Sequence, residues 1–453
     1  RIRSVDTSAA IEMPGVIAIY TGKEIASAGL GRMPCLAAKL LPLKRPDGSP
    51  MYEPKRLALS EDKVAFVGDY IAFVVAETGA QARDAADLVV IDYEELAPVV
   101  EIQNALTADT TPIWDDCPDN ICFQMDIGDK DATDVAFTNA HHISRVNIPF
   151  ARVAINPMEP RAAIGEYDRF EGRYTLHSGN QFPHDLRAWM AQSVLKIPES
   201  KLRIISPDMG GSFGLRSSCF PELTLVLWAA KQLDRPVKWI NERSDGILEE
   251  HARDFHMAVE LALDKNDKFL GLRVIKNASV GAYLNNFGPL PAFGNFGGVA
   301  GVYKTPAISA TITGVFTNAA PTSPYRGAGR PEATLAIEQV IDLAAREMGI
   351  DRIELRRRNI IPPDAFPYQT ALTYNYDSGE FERNMDRALE MADAASFEAR
   401  RTDSKANGKL RGLGIANAIE QAAGMFDEGG EIRFDQEGHI TVLMGTHAHG
   451  QGH

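Results

Sequence analysis

The chain has 453 residues, 45% hydrophobic and 24% charged, which suits an ordinary globular protein of two or three domains. Its formal net charge of -14 leaves no basic surplus to displace counterions, which excludes non-specific nucleic-acid binding. No apolar run reaches the length of a membrane span, and the 4 cysteines (Cys35, Cys117, Cys122, Cys219) are too scattered for a disulfide framework or a metal cluster, so reduced thiols in a cytoplasmic protein are expected.

Residues 1–100 read as a small α/β unit. In it, "DKVAFVGDYIAFVVAE" reads as two strands around a Gly-Asp turn, "TGAQARDAADLVV" as a helix and "VVIDYEEL" as a strand. Residues 101–135 are polar and broken by Pro112 and Pro118, so a linker is expected there. A second domain opens at "HHISRVNIPF". "QFPHDLRAWMAQSVLKI" has the spacing of an amphipathic helix, with Leu186, Trp189, Met190 and Val194 on one face. Pro221 and Glu222 suit the first turn of a following helix, where a missing N–H costs nothing and a carboxylate favours the helix dipole. "RPEATLAIEQVIDLAAREMG" predicts another, with Ile337, Val340, Ile341 and Ala344 inward and Gly349 past its end. "FERNMDRALEMADAASFEARR" reads as a solvated helix, and "GEIRFDQEGHITVLMG" as a hairpin turning at Gln436-Glu437-Gly438. The chain opens at "RIRSVDTSAA" and stops at "HAHGQGH", from which a fragment or one piece of a split protein is expected.

Five stretches carry candidate chemistry. "LRIISPDMGGSFGLRSS" sets Gly210, Gly211 and Gly214 between a strand and a helix, where backbone N–H groups can cradle an anion. It matches neither the P-loop nor the G-x-G-x-x-G dinucleotide fingerprint, so a tight structural turn and a ligand loop both remain open. "THAHGQGH" puts His447 and His449 on one face if extended, as metal ligands or as polar residues at a solvated strand end. "PTSPYRGAGRPEA" flanks Gly327 and Gly329 with Arg326 and Arg330, either a helix-entry loop or a guanidinium brought to a substrate. "NPMEPRAAIGEYD" carries Glu159 and Arg161, read as an ion pair fixing a turn, and Gln181 stands at a helix mouth as a cap or a polar contact.

The order of these motifs, "HSGNQFPHDLRAWMAQSVLKIPESKLRIISPDMGGSFGLRS", "RPVKWINERSD", "PYRGAGRPEA" and "GTHAHGQGH", resembles the molybdenum hydroxylases. These are the xanthine dehydrogenase and aldehyde oxidase family, which includes the carbon-monoxide-dehydrogenase-type large subunits. The resemblance implies an α/β (α+β) fold: an α/β-hammerhead domain at 1–100, the linker, a first molybdopterin-binding domain at 136–380 and the start of a second at 381–453, incomplete at both ends. It implies molybdenum–molybdopterin, as a cytosine dinucleotide, held by Gly210, Gly211, Phe213, Gly214 and Gln181 and by a second loop of Gly450, Gln451 and Gly452. Gln181 would donate toward the metal's oxo group and Arg326 would lie beside the metal, with no protein side chain ligating it. Oxidation of a small molecule with water-derived oxygen follows from the resemblance. So do 2Fe-2S clusters on a small partner subunit, FAD on a medium one, and possible completion by a second molybdopterin subunit.

Departures from the family pattern narrow this reading. Carbon monoxide dehydrogenases carry a copper-ligating cysteine where Gly327 stands, so CO oxidation is rejected. Ser217 or Ser218 occupies the position of a purine-contacting glutamate, which favours an aldehyde or N-heteroaromatic carbon. A serine stands where the Gly-Gly-x-Phe-Gly loop usually has a third glycine, a change that reads as minor. The family's general-base glutamate has no match before His453, so the chain is not expected to turn over alone. The competing readings are a non-catalytic paralogue or assembly protein, and a hydrolase using His447 and His449.

Overall fold

A computed structural model describes residues 1–36, 41–249, 251–420 and 429–453. In the N-terminal unit, strand Ile2–Asp6 pairs antiparallel with Val90–Tyr93, and Val16–Thr21 with Ala72–Ala76. Helix Gly79–Ala86 is capped by the Thr78 hydroxyl, which accepts from the Gln81 N–H. The segment read as two strands holds one, Ala72–Ala76. Residues 65–69 turn instead, because the Asp69 carboxylate accepts from the Ala65 N–H at 2.7 Å, and Ala65 and Phe66 pack onto Ala282 and Tyr283.

That turn carries a pH dependence. Asp69 keeps a partial opening to solvent, but the surrounding protein crowds its carboxyl and pushes it up to about 6, against the pull of Arg56. A carboxyl raised in the folded state contributes stability that is full below its ordinary value and is lost as pH rises through about 6. Asp69→Asn should therefore flatten the stability profile over this window, read as urea midpoints at about pH 4 and about pH 7. An unchanged profile would place the titration elsewhere.

The expected linker is a correction. Residues 121–128 form a strand, Ile121–Gly128, at the edge of a five-stranded sheet, followed by helix Lys130–Thr138 capped by Asp129 on the Ala132 N–H at 2.8 Å. Pro112 and Pro118 precede this strand rather than interrupt it, and Cys122 and Phe123 turn into the core. The sheet continues through Ala307–Phe316, Phe269–Gly281, His251–Leu263 and His142–Ala154, with only the Phe269–Gly281 and Ala307–Phe316 pair parallel. Helix Arg330–Met348 packs with it through Ile337, Val340, Ile341 and Ala344, all fully buried, and ends at Gly349 in a left-handed conformation (φ 67°).

A second sheet orders Val237–Ile240, Ala162–Asp168, Arg173–His177 and Leu202–Ile205. Helix Pro221–Leu233 lies so close that a Cβ on Gly165 would meet the Val226 backbone at 2.4 Å. Helix Pro183–Trp189 continues as a π-helix over Met190–Leu195. Leu186, Met190 and Val194 are fully buried and Trp189 half-buried, as the helical spacing predicts. The two sheets and their helices place the glycine loop after Leu202–Ile205 beside the loop entering helix Arg330–Met348.

The charged C-terminal helix is two, Phe381–Met391 and Phe397–Ala406, broken where Asp393 turns left-handed (φ 48°). The hairpin forms as expected from Gly430–Phe434 and Ile440–Met444. Its register puts Ile432, Phe434, Ile440, Val442 and Met444 on one exposed face. All four cysteines are buried, and no helix among the described residues is long and apolar enough to cross a membrane.

Candidate functional site

Three loops converge. Residues Gly211 (φ 105°), Phe213 (φ 58°) and Gly214 (φ 104°) take left-handed conformations, which winds the loop tightly. A Cβ on Gly214 would lie 2.2 Å from the Pro324 carbonyl oxygen, so this glycine lets the 324–330 loop approach. The Arg326 N–H donates to the Phe213 carbonyl at 3.0 Å, and the Arg326 guanidinium stands 5.6 Å from the centre of the half-exposed Phe213 ring. No carboxylate among the described residues pairs with Arg326. Arg330 instead pairs with Glu420 at 2.8 Å. The third loop arrives with Gly450, where a Cβ would come within 3.1 Å of the Gly211 nitrogen.

Gln181 sits just before helix Pro183–Trp189, its N–H bonded to the Arg216 carbonyl at 2.9 Å. The Ser212 hydroxyl donates to the Gln181 side-chain oxygen at 2.6 Å, which orients the amide and leaves its NH2 without an acceptor among the described residues. The serine in the glycine loop is therefore not a minor departure: it positions Gln181, and through its oxygen it also accepts from the Arg216 N–H at 3.2 Å. A short hydroxyl amid glycines, able to bond locally, was the available sequence signal.

The ion pair read between Glu159 and Arg161 is also corrected. Glu159 pairs with Arg216 at 2.7 Å and accepts from the Gly210 N–H at 2.5 Å, bracing the glycine loop from behind. That commits the Gly210 donor, whereas the N–H groups of Gly211, Ser212, Phe213 and Gly214 find no acceptor among the described residues. Arg161 turns the other way, to buried Glu222 at 2.9 Å and to Glu249. Burial raises the Glu222 carboxyl despite Arg161.

His447 and His449 lie beyond the last strand, so no strand face presents them. Their rings meet edge-to-face at 5.0 Å, and both His447 nitrogens and the His449 Nε2 are buried with no hydrogen-bond partner among the described residues. Burial lowers the His449 imidazole, and His447 and His453 add to it. Among the described residues, no group of three His, Cys, Asp or Glu side chains is placed to hold a metal ion. The Gln451 side chain is spent within its own loop, donating to the His447 carbonyl at 3.2 Å and accepting from the His449 N–H at 2.5 Å. Gly452 turns left-handed (φ 83°) in open space.

The molybdopterin cofactor-binding domain family matches residues 113–360 and, with a second domain of that description, 387–453; the aldehyde oxidase and xanthine dehydrogenase a/b hammerhead domain matches 1–97. The chain belongs to the molybdenum hydroxylase family. It is 32% identical to the carbon monoxide dehydrogenase large chain of Hydrogenophaga pseudoflava, over 100% of this chain and 58% of that one. It is 31% identical to the nicotine 6-hydroxylase large subunit of Paenarthrobacter nicotinovorans, over 100% of this chain and 56% of the other. The structure of quinoline 2-oxidoreductase from Pseudomonas putida 86 superposes with a TM-score of 0.88 at 29% identity, over 100% of this chain and 58% of that one. The chain thus spans a little over half the length of these hydroxylase relatives.

Proposed function

We propose that this chain forms the molybdopterin-binding, substrate-facing part of a hydroxylase that oxidises an N-heteroaromatic or aldehyde carbon. The observation that carries this reading is the Gln181 amide, oriented by Ser212 of the glycine loop with its NH2 finding no acceptor among the described residues, on a loop that Arg326 and Gly450 also approach. The residues present fit a bulky anionic cofactor. Gly211 to Gly214 offer N–H groups that find no acceptor among the described residues, a Cβ on Gly450 would press on the Gly211 nitrogen at 3.1 Å, and the buried nitrogens of His447 and His449 have no partner among the described residues.

When bound, molybdenum–molybdopterin, as its cytosine dinucleotide, would supply the two-electron oxidation and the activated water-derived oxygen. The protein's own part is positioning. Gly211, Ser212, Phe213 and Gly214 would hold the cofactor through backbone donors, joined by Gly450, Gln451 and Gly452 from the second loop. Gln181 would donate a hydrogen bond toward it. Arg326, paired with no carboxylate among the described residues, offers its guanidinium to a carbonyl, ring nitrogen or carboxylate of the substrate. Electrons would leave through an iron–sulfur small subunit and an FAD-binding medium subunit. Nicotine 6-hydroxylase and quinoline 2-oxidoreductase, by name, act on nitrogen heteroaromatics, which favours that substrate class. Gly327 argues against a copper-ligating cysteine: at φ 94°, a Cβ there would strike the Pro331 ring at 2.6 Å.

The test is metal and nucleotide analysis of the purified assembly, followed by Gln181→Ala. Molybdenum with a cytosine nucleotide is expected, and Gln181→Ala should lower kcat about tenfold or more at unchanged molybdenum content, the scale of one lost charge-directed hydrogen bond. Absence of molybdenum would turn the reading toward a non-catalytic binding protein.

A further inference from the structure

Arg253 and Asp254 are consecutive non-glycine residues in left-handed conformations (φ 69° and 74°), inside strand His251–Leu263. Such conformations are costly for residues with a Cβ, and they persist only where surrounding contacts hold them. The contacts are specific. The buried Arg253 guanidinium bonds Glu332 through Nη1, donates from Nη2 to the Arg326 carbonyl at 3.0 Å and packs 5.2 Å from the Tyr325 ring centre. Glu332 is 1% exposed, in the first turn of helix Arg330–Met348, directly after the Arg326 loop. Arg152 separately holds Asp254 at 2.7 Å, so the neighbouring charge does not compete for Arg253.

Both backbone groups of Arg326 are therefore tied. Its N–H reaches Phe213 in the glycine loop, and its carbonyl reaches the buried pair behind. The next three residues, Gly327, Ala328 and Gly329, all have positive φ (94°, 40° and 105°), and the two glycines impose little order of their own. We propose that Arg253 and Glu332 are positioning residues that clamp the Arg326 backbone and so set where its guanidinium stands beside Phe213. The strain at residues 253 and 254 is held in place to give the Arg253 fork this aim. The clamp is a property of the chain; its effect on substrate rests on the function proposed above.

Arg253→Lys in the full assembly is the discriminating variant. A lysine keeps the charge beside Glu332 but lacks the fork that reaches the Arg326 carbonyl at the same time. Amide hydrogen exchange across residues 324–330 should then rise about tenfold and KM by a similar factor, the equivalent of one hydrogen bond, with molybdenum content unchanged. Arg326→Ala should raise KM yet leave that exchange at the wild-type rate, because the backbone clamp stays. Wild-type exchange in Arg253→Lys, or faster exchange throughout the chain rather than in this loop, would overturn the clamp. If Arg253→Lys does not fold, Glu332→Gln is read by the same exchange, with the same two outcomes. If the wild-type assembly carries no molybdenum and turns nothing over, the functional reading fails and the exchange measurement alone still decides the clamp.

Discussion

Gly214→Ala should both destabilise the protein and empty it of cofactor. Two costs add at this position. The left-handed backbone (φ 104°) penalises any Cβ by about 1–2 kcal/mol. The Cβ would also lie 2.2 Å from the Pro324 oxygen and 2.8 Å from its carbonyl carbon, both backbone atoms with little room to move. Overpacking of this kind costs about 1–3 kcal/mol, so a total near 3 kcal/mol is the expected scale. The displaced 324–330 loop would carry Arg326 away from Phe213 and open the contact on which the proposed cofactor cradle depends. Denaturant midpoints and molybdenum content of the purified assembly measure the two effects separately. Wild-type values for both would mean that the loops can separate without consequence, contrary to the close packing described here.

Arg161→Met has the largest expected effect on stability away from the glycine loops. Arg161 is the only cation among the described residues shown bonding Glu222 and Glu249, which are 1% and 9% exposed. Tyr70, from the N-terminal unit, donates to Glu249 at 2.7 Å, and Asn241 donates to it at 3.1 Å, so the cluster ties that unit to the second sheet. Removing the guanidinium leaves two carboxylates facing each other in a dry site, and breaking a buried pair in this way costs about 3–5 kcal/mol. Adding Glu222→Gln and Glu249→Gln to Arg161→Met should recover a large part of the loss, because the uncompensated charges go too. A single mutant as stable as wild type in urea would show that the site admits enough water to solvate the pair.

Helices were legible where one periodic face meets one core. Ile337, Val340, Ile341 and Ala344 are spaced to share a face, and all are fully buried. Pro221 and Glu222 mark the start of a helix for local reasons, and the helix starts there. The C-terminal hairpin follows from turn residues between two short apolar runs. The strand Ile121–Gly128 was not legible, because an edge strand with one buried face is polar on the other and the prolines before it suggested a loop. The single helix read near residue 390 failed because a left-handed Asp393 costs little in sequence terms and appears only when the chain must turn.

The sequence by itself determined the family, through the order of its motifs, and located the three loops that form the candidate site. It also located the glycines whose missing side chains let those loops touch. Only the tertiary structure decided who pairs with whom. Glu159 passes over Arg161, two residues away, for Arg216, 57 residues away; Ser212 orients Gln181 across 31 residues; and Arg253 reaches Arg326 across 73. The physical reason is that periodicity and turn chemistry act over a few residues, whereas a buried charge or amide must find its partner wherever packing has removed water. Those partners are fixed when the two sheets and their helices close around the loops.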